Sequence, residues 1–216
     1  KGRGRGDGFG AFEPSLPRTV SHFDILLRSC ARASMDGPDR RRFMDIPKSV
    51  LSATCLRSLV DSINDAAEKC TETKISLTVF DDHSDPEFVE EVREILAKAS
   101  CTNRLVSLEV TGNGASLKET FTHARDTCKD VVYCIEDDYL HDLSAVQELI
   151  DSYARLSATS ESDVVVLPYD YPEEYRRIVP THVFLGSNRH WRRVWRSAGS
   201  FATSSKIRRE YWERYL

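Results

Sequence analysis

Two short runs of acids hold the chemistry this chain could perform. Glu136-Asp137-Asp138 closes the apolar run Val131-Val132-Tyr133-Cys134-Ile135, and Asp81-Asp82 closes a similar run over residues 75–80. Continuous apolar, β-branched runs read as central strands covered on both faces. Carboxylates at their ends cannot belong to the core, because an unpaired buried charge is too costly. They fall instead at the open ends of the strands, where α/β proteins bind ligands. Adjacent acids repel unless a cation lies between them, and hard divalent ions such as Mg²⁺ take carboxylate oxygens and bridge to phosphates. A strand running into a solvated acidic turn is the plain alternative.

Such acids need elements to position them. Residues 22–30 read as a first strand, with Arg28, Ser29 and Arg32 near its carboxyl end. A polar loop over 34–45 leads to a helix opened by Pro47, a residue suited to the first turn. Its apolar stripe is Leu51, Cys55, Leu56, Leu59, Val60, Ile63 and Ala67. After the second strand, Pro86 opens a helix with Phe88, Val89, Val92, Ile95 and Leu96 on one side. Residues 105–110 read as a third strand, closed by Thr111-Gly112-Asn113-Gly114. A helix through Leu117, Phe121, Ala124 and Cys128 follows. The strand ending in Glu136 is the fourth. Residues 142–156 read as a helix through Leu143, Val146, Leu149, Ile150, Tyr153 and Leu156, and residues 163–168 as a fifth strand leading into Asp170. Strands alternating with helices imply an α/β fold with a mostly parallel sheet flanked by helices. Parallel strands share a direction, so both acid clusters, the Gly112-Asn113-Gly114 turn, Arg28 and Arg32 converge on one sheet edge. That edge suits a phosphorylated, metal-associated nucleotide.

Composition is compatible with this reading. The chain has 216 residues, 30% of them charged, with a net charge of -4. Nothing in that balance pulls the whole chain toward nucleic acid or an anionic membrane. No apolar run reaches the roughly 20 residues that span a bilayer. Cysteines 30, 55, 70, 101, 128 and 134 include no CxxC pair, so a zinc site and a disulfide framework are disfavoured and a reducing, cytoplasmic setting is expected. Residues 1–20 read as a Gly-, Arg- and Pro-rich flexible tail and residues 21–216 as one domain.

With these motifs in place the chain resembles the GT-A glycosyltransferases, most closely their family-2, nucleotide-sugar-dependent type. The resemblance rests on the order of the VFDDHSD, GNGASLKETFTHA and VVYCIEDDYL segments and covers about residues 23–170. It implies a single GT-A-like, Rossmann-like domain that moves a sugar from a UDP- or GDP-type donor to an acceptor hydroxyl, in surface glycan or polysaccharide synthesis. By the same resemblance Asp82, supported by Asp81, accepts a hydrogen bond from the base. Arg28 and Ser29 lie along the nucleoside, and Asn113 and Gly114 form the turn over the base. Glu136-Asp137-Asp138 matches the metal-binding DXD position for Mn²⁺ or Mg²⁺: Glu136 and Asp138 as ligands, Asp138 foremost, and Asp137 at the ribose or the metal's water shell. Such an ion would stabilise the leaving diphosphate as a Lewis acid.

The departures from the family are instructive. A Gln-x-x-Arg-Trp element is missing, unless Arg189-His190-Trp191-Arg192-Arg193 replaces it, and no transmembrane segment accompanies the domain. The catalytic base is not marked by a motif; Asp170, just past the fifth strand, is the candidate, with Glu173 and Glu174 behind it. All three acids could equally decorate a solvated loop. His190 or His182 could add a metal ligand, although lone histidines are more often surface or packing residues. Trp191 and Trp195 could form an acceptor platform, or simply pack in the core. Arg189, Arg192, Arg193, Arg196, Lys206, Arg208 and Arg209 make the last quarter basic. That surface could hold a diphosphate, a glycan or lipid-linked acceptor with peripheral membrane contact, or single-stranded nucleic acid. The acidic sheet edge argues against nucleic acid. The rival readings are a sugar-nucleotide nucleotidyltransferase, whose Gly-rich signature residues 25–33 lack, and a non-enzymatic nucleotide or nucleic-acid binding module.

Overall fold

The computed structural model describes residues 18–32, 46–170, 175–176, 180–194 and 199–214. Strand β1 (His22–Ser29) is followed by α1 (Lys48–Lys69), β2 (Lys74–Asp81), α2 (Pro86–Leu96), β3 (Thr102–Ser107), α3 (Asn113–Asp126) and β4 (Val131–Glu136). Then come α4 (Ala145–Thr159), β5 (Val165–Val166), a hairpin of β6 (Val183–Leu185) and β7 (His190–Arg192), β8 (Phe201–Ser204), α5 (Ser205–Glu210) and a 3₁₀ turn at Trp212–Arg214. Pro47 takes the N-cap position of α1, one residue ahead of the helix. The stripe of α1 buries Ala66 fully, and Ala67 packs half-buried beside it against the core.

Among the described residues six strands form the main sheet, in the order β3-β2-β1-β4-β8-β5. Strands β1 to β4 pair in parallel, whereas β8 is antiparallel to both β4 and β5. The chain first winds outward from β1 through β2 to β3, then α3 carries it back across the sheet to β4 on the other side of β1. Strand order therefore reverses between β1 and β4, and a crevice at the carboxyl ends of such strands is the usual ligand site of open α/β sheets.

Residue parity splits the core into two layers. Phe23, Ile25, Leu77, Val79, Val131 and Tyr133 meet Leu56, Leu59, Ile63, Phe88, Val92 and Leu149 of α1, α2 and α4. On the opposite face Leu26, Phe80, Val132, Cys134 and Phe201 meet α3. Arg208 of α5 is also fully buried there, its guanidinium stacked over Phe121 at 4.3 Å and Phe201 at 5.3 Å. Stacking suits guanidinium, which is more weakly hydrated than an ammonium.

Several expectations change in detail. The third strand begins at Thr102 and stops at Ser107, not 110. The fifth shrinks to Val165–Val166, because it forms the sheet edge and leaves Val165 44% exposed. The body reaches back to Arg18, which bonds Asp130 at 2.6 Å and also pairs with Asp163, while Val20 is buried. The tail assigned to residues 1–20 therefore cannot include residues 18–20; the rest of it, the loop over 34–45, Glu173, Glu174, Trp195 and Arg196 lie outside the described residues.

Helix α4 starts at Ala145, so Leu143 precedes it and is 58% exposed, while Leu149 is 1% exposed. Leu149→Ala should cost about 2–5 kcal/mol in urea unfolding. Leu143→Ala should change stability by less than about 0.5 kcal/mol. Equal losses would contradict this placement.

Candidate functional site

Parity also decides which way each acid at the β4 end points. Odd residues of β1 and β4 face α1, and Ser29 and Asp137 follow that rule. The Asp137 carboxylate is 6% exposed and accepts hydrogen bonds from Ser52 Oγ (2.8 Å), the Cys30 amide (3.0 Å) and Ser29 Oγ (3.3 Å). Lys48 Nζ completes an ion pair with its other oxygen. Even residues face α3 and α5: there Arg28 donates to Glu136 Oε1 at 2.7 Å. The Glu136 amide bonds Ser200 Oγ at 3.1 Å, and a Cβ at Gly199 would lie 2.6 Å from Glu136 Oε2, so a larger residue there would displace this carboxylate. Asp138 lies beyond the strand and is exposed; among the described residues it has no hydrogen bond or ion pair.

The end of β2 forms the neighbouring wall. Asp82 is 4% exposed; its Oδ2 accepts the Gly112 amide at 3.0 Å and its Oδ1 lies 3.2 Å from His83 Nδ1. Asp81, equally buried, accepts the Ser84 amide at 3.1 Å through Oδ2, while its Oδ1 has no partner. The backbone makes these contacts possible: His83 has φ +57° and Gly112 φ +99°, a region costly for most residues but open to glycine. Gly112 caps α3, so Asn113 and Gly114 form its exposed first turn beside Asp82. Arg32, at the rim, pairs with Asp85.

The acids accordingly differ in what they can do for a metal. Among the described residues no three His, Cys, Asp or Glu side chains converge as a ready-made ligand set. Asp137 is saturated and Glu136 is held by Arg28. Asp138 alone stands open, which suits a Mg²⁺-type ion held by one carboxylate together with substrate phosphates. His190 sits on the β6–β7 hairpin, apart from the acid run in the chain's topology.

A cavity of about 1080 Å³ adjoins this edge, starting at Tyr139, the residue after Asp138. Tyr139 and Tyr169 line it with ring centroids 5.4 Å apart, and Phe184, His190, Trp191 and Asp170 line it further on. Asp170 Oδ1 accepts from Arg192 Nη2 at 2.7 Å, and the Tyr175 hydroxyl donates to Oδ2. That hydrogen bond raises the Tyr175 phenol above its usual pKa, so it stays a donor.

Glu148 fixes the hairpin wall of the cavity, and the helical spacing of α4 gave no hint of it. Its carboxylate accepts from Trp191 Nε1 (2.9 Å), the Asn188 amide (2.6 Å) and Ser152 Oγ (2.8 Å). Burial pushes its pKa up, but these donors and the Arg189 amide together outweigh it and hold it below the usual range. Gly186 is required here, since a Cβ would fall 2.0 Å from Glu148 Oε1. Trp191 is therefore half-buried against the main core and held there by a hydrogen bond.

A mostly parallel sheet that reverses between β1 and β4, with acids at the reversal and glycine-closed turns beside it, is a GT-A-like fold. No family model and no curated protein sequence matches the chain. Among solved structures, S. aureus TarS 1-349 aligns with TM-score 0.50 and 12% identity over 87% of this chain and 48% of that one. A longer S. aureus TarS structure gives 0.36 and 16% over 61% and 20%. The mannosyltransferase PcManGT from Pyrobaculum calidifontis, in complex with GDP-Man and Mn²⁺, gives 0.40 and 15% over 66% and 37%. The chain thus covers less than half the length of each of these chains, and what it shares with TarS 1-349 is the fold.

His141, on the cavity wall, bonds the buried Tyr133 hydroxyl at 3.1 Å. Burial lowers its pKa to about 4 from 6.5, so the fold favours the neutral ring. Its contribution is complete above pH 6.5 and lost as pH falls toward 4, on the order of 3 kcal/mol. Urea melts at pH 7 and 4.5 should show a smaller acid loss in His141→Gln than in the wild type.

Proposed function

We propose that this chain is the catalytic domain of a metal-dependent glycosyltransferase that moves a sugar from a nucleoside-diphosphate sugar to an acceptor hydroxyl. The observation that carries the reading is the adjacency of two sites. The acidic reversal point between β1 and β4 is suited to a metal-bound nucleotide, and the Tyr139–Asp170 cavity opens beside it. A nucleotidyltransferase or a simple binding module needs no second cavity of this kind.

On the donor side Asp81, whose buried Oδ1 has no partner, is the base acceptor, while Asp82 holds the Gly112 turn. Asn113 and Gly114 form the rim of that turn. Arg28 and Ser29 hold Glu136 and Asp137 in place along the nucleoside. Asp138 would hold Mn²⁺ or Mg²⁺, which when bound would neutralise charge on the leaving diphosphate, with Glu136 and His190 as the further candidate ligands. The donor is of UDP or GDP type and the acceptor a glycan or lipid-linked hydroxyl, in surface glycan or polysaccharide synthesis.

On the acceptor side Asp170 takes the proton of the attacking hydroxyl. Arg192 orients the carboxylate, and the acceptor hydroxyl replaces the Tyr175 hydroxyl at Oδ2. All six cysteines are free. Burial raises Cys55, Cys70 and Cys101 to about 11 and makes them inert, in keeping with a reducing, cytoplasmic setting.

Calorimetry with UDP and GDP, with and without Mn²⁺, tests the donor side. Metal-dependent binding is expected, lost in Asp138→Asn and weakened by about 1.5–3 kcal/mol in Asp81→Asn, the range for a hydrogen bond to a charged group. Binding indifferent to EDTA would remove the metal from the scheme.

Asp170→Asn should lower turnover about 10²–10⁴-fold with donor affinity unchanged, the contribution of a positioned base. A loss confined to donor binding would move the role elsewhere.

A further inference from the structure

Among the described residues, one face of the β6–β7 hairpin carries exposed apolar side chains. Opposed residues in an antiparallel pair share a face, so Phe184 and Trp191 lie on one side of the hairpin and Val183, Leu185, His190 and Arg192 on the other, where His190 and Arg192 also line the cavity. Val183 is 64% exposed and Leu185 65%. Tyr175, 68% exposed, stacks on Arg192 at 4.2 Å and extends this face. The Asp142–Arg189 pair, 3.4 Å apart, draws the loop carrying exposed Leu140 and Leu143 against the hairpin turn. Five of the eight large apolar or tyrosine side chains exposed among the described residues thus gather here. Concentrations of this kind mark protein or membrane contacts.

Charge narrows the choice. Although the whole chain carries net -4, residues 180–194 contain Arg189, Arg192 and Arg193 and no acid. Exposed Arg155 reaches the same turn, donating to the carbonyls of Leu185 (3.4 Å) and Gly186 (3.3 Å). The acid partnering Arg189 is itself 60% exposed, and such pairs hold their cations weakly. Leucine, valine and tyrosine ringed by arginines match the boundary between headgroups and acyl chains of an anionic bilayer.

We propose that this face docks on an anionic lipid surface. Val183, Leu185, Leu140 and Leu143 enter the acyl boundary, Tyr175 lies at the headgroups, and Arg155, Arg189 and Arg193 meet lipid phosphates. The site is a peripheral one, since among the described residues no helix is long and apolar enough to cross a membrane. It does not rest on the transfer reaction, because docking requires neither donor nor metal. It places the mouth of the cavity at the bilayer, within reach of an acceptor anchored in lipid.

Vesicle co-sedimentation with the full chain tests the surface. Vesicles of phosphatidylcholine containing about a third phosphatidylglycerol should pellet the protein, pure phosphatidylcholine should not, and high salt should release it. Val183→Ser/Leu185→Ser should weaken binding about tenfold or more. Arg189→Gln and Arg193→Gln should each weaken it about fivefold. Val50→Ser, at an exposed apolar residue on α1 (50% exposed), should leave binding intact. Thermal melts confirm that each variant is folded. Absence of pelleting with anionic vesicles, or equal pelleting of the Val183/Leu185 variant, overturns the proposal. So does a self-associated chain in ultracentrifugation that the same double variant dissolves while vesicles bind nothing, since the face would then be a protein interface.

Discussion

The Asp137 carboxylate is the constraint on which the site depends. Strands β1 and β4 and helix α1 each have an end near it: β1 stops at Ser29, β4 at Glu136, and α1 begins without a side-chain cap. One buried carboxylate ties all three through Ser29, Cys30, Lys48 and Ser52. A buried charge is tolerable only when so surrounded, and stripping one partner from such a pair typically costs about 3–5 kcal/mol. The central acid of the run is therefore architectural. Its satisfaction leaves Asp138 at the rim, displayed by a turn that cannot drift, with Arg28 occupying Glu136 on the other face of the sheet.

Much of the fold was legible because its signals are local. Val131 to Ile135 is apolar at every position and proved central; the stripes of α1 and α2 follow helical spacing and proved to face the core. Residues 163–168 misled because β-branched composition says nothing about whether a strand lies at the centre or the edge. Strand β8 was missed for the opposite reason: Phe201-Ala202-Thr203-Ser204 is short and half polar, and only pairing with β4 makes it a strand.

The site divides along the same line. That acids would gather at the strand ends followed from strand direction alone. Which oxygens stay available did not, because that depends on donors far away in sequence: Gly112 for Asp82, Lys48 and Ser52 for Asp137, Arg192 for Asp170. Glu148 was invisible as a functional residue because a glutamate on a helix ordinarily faces water. Its role arises from the Trp191 indole and the Asn188 amide, and the one local clue is the tight Gly186.

The antiparallel β8 has a further consequence, for the birth of the protein. Strand β4 is synthesised long before its outer neighbour, and β5 can join the sheet only through β8. During the seconds needed to translate the intervening segment, the edge of Val131-Val132-Tyr133-Cys134-Ile135 is unpaired. That stretch is uncharged and rich in β-forming residues, the composition that seeds pairing between chains. The acids at its carboxyl end then act as gatekeepers: Glu136, Asp137 and Asp138 place repelling charges where two nascent chains would align.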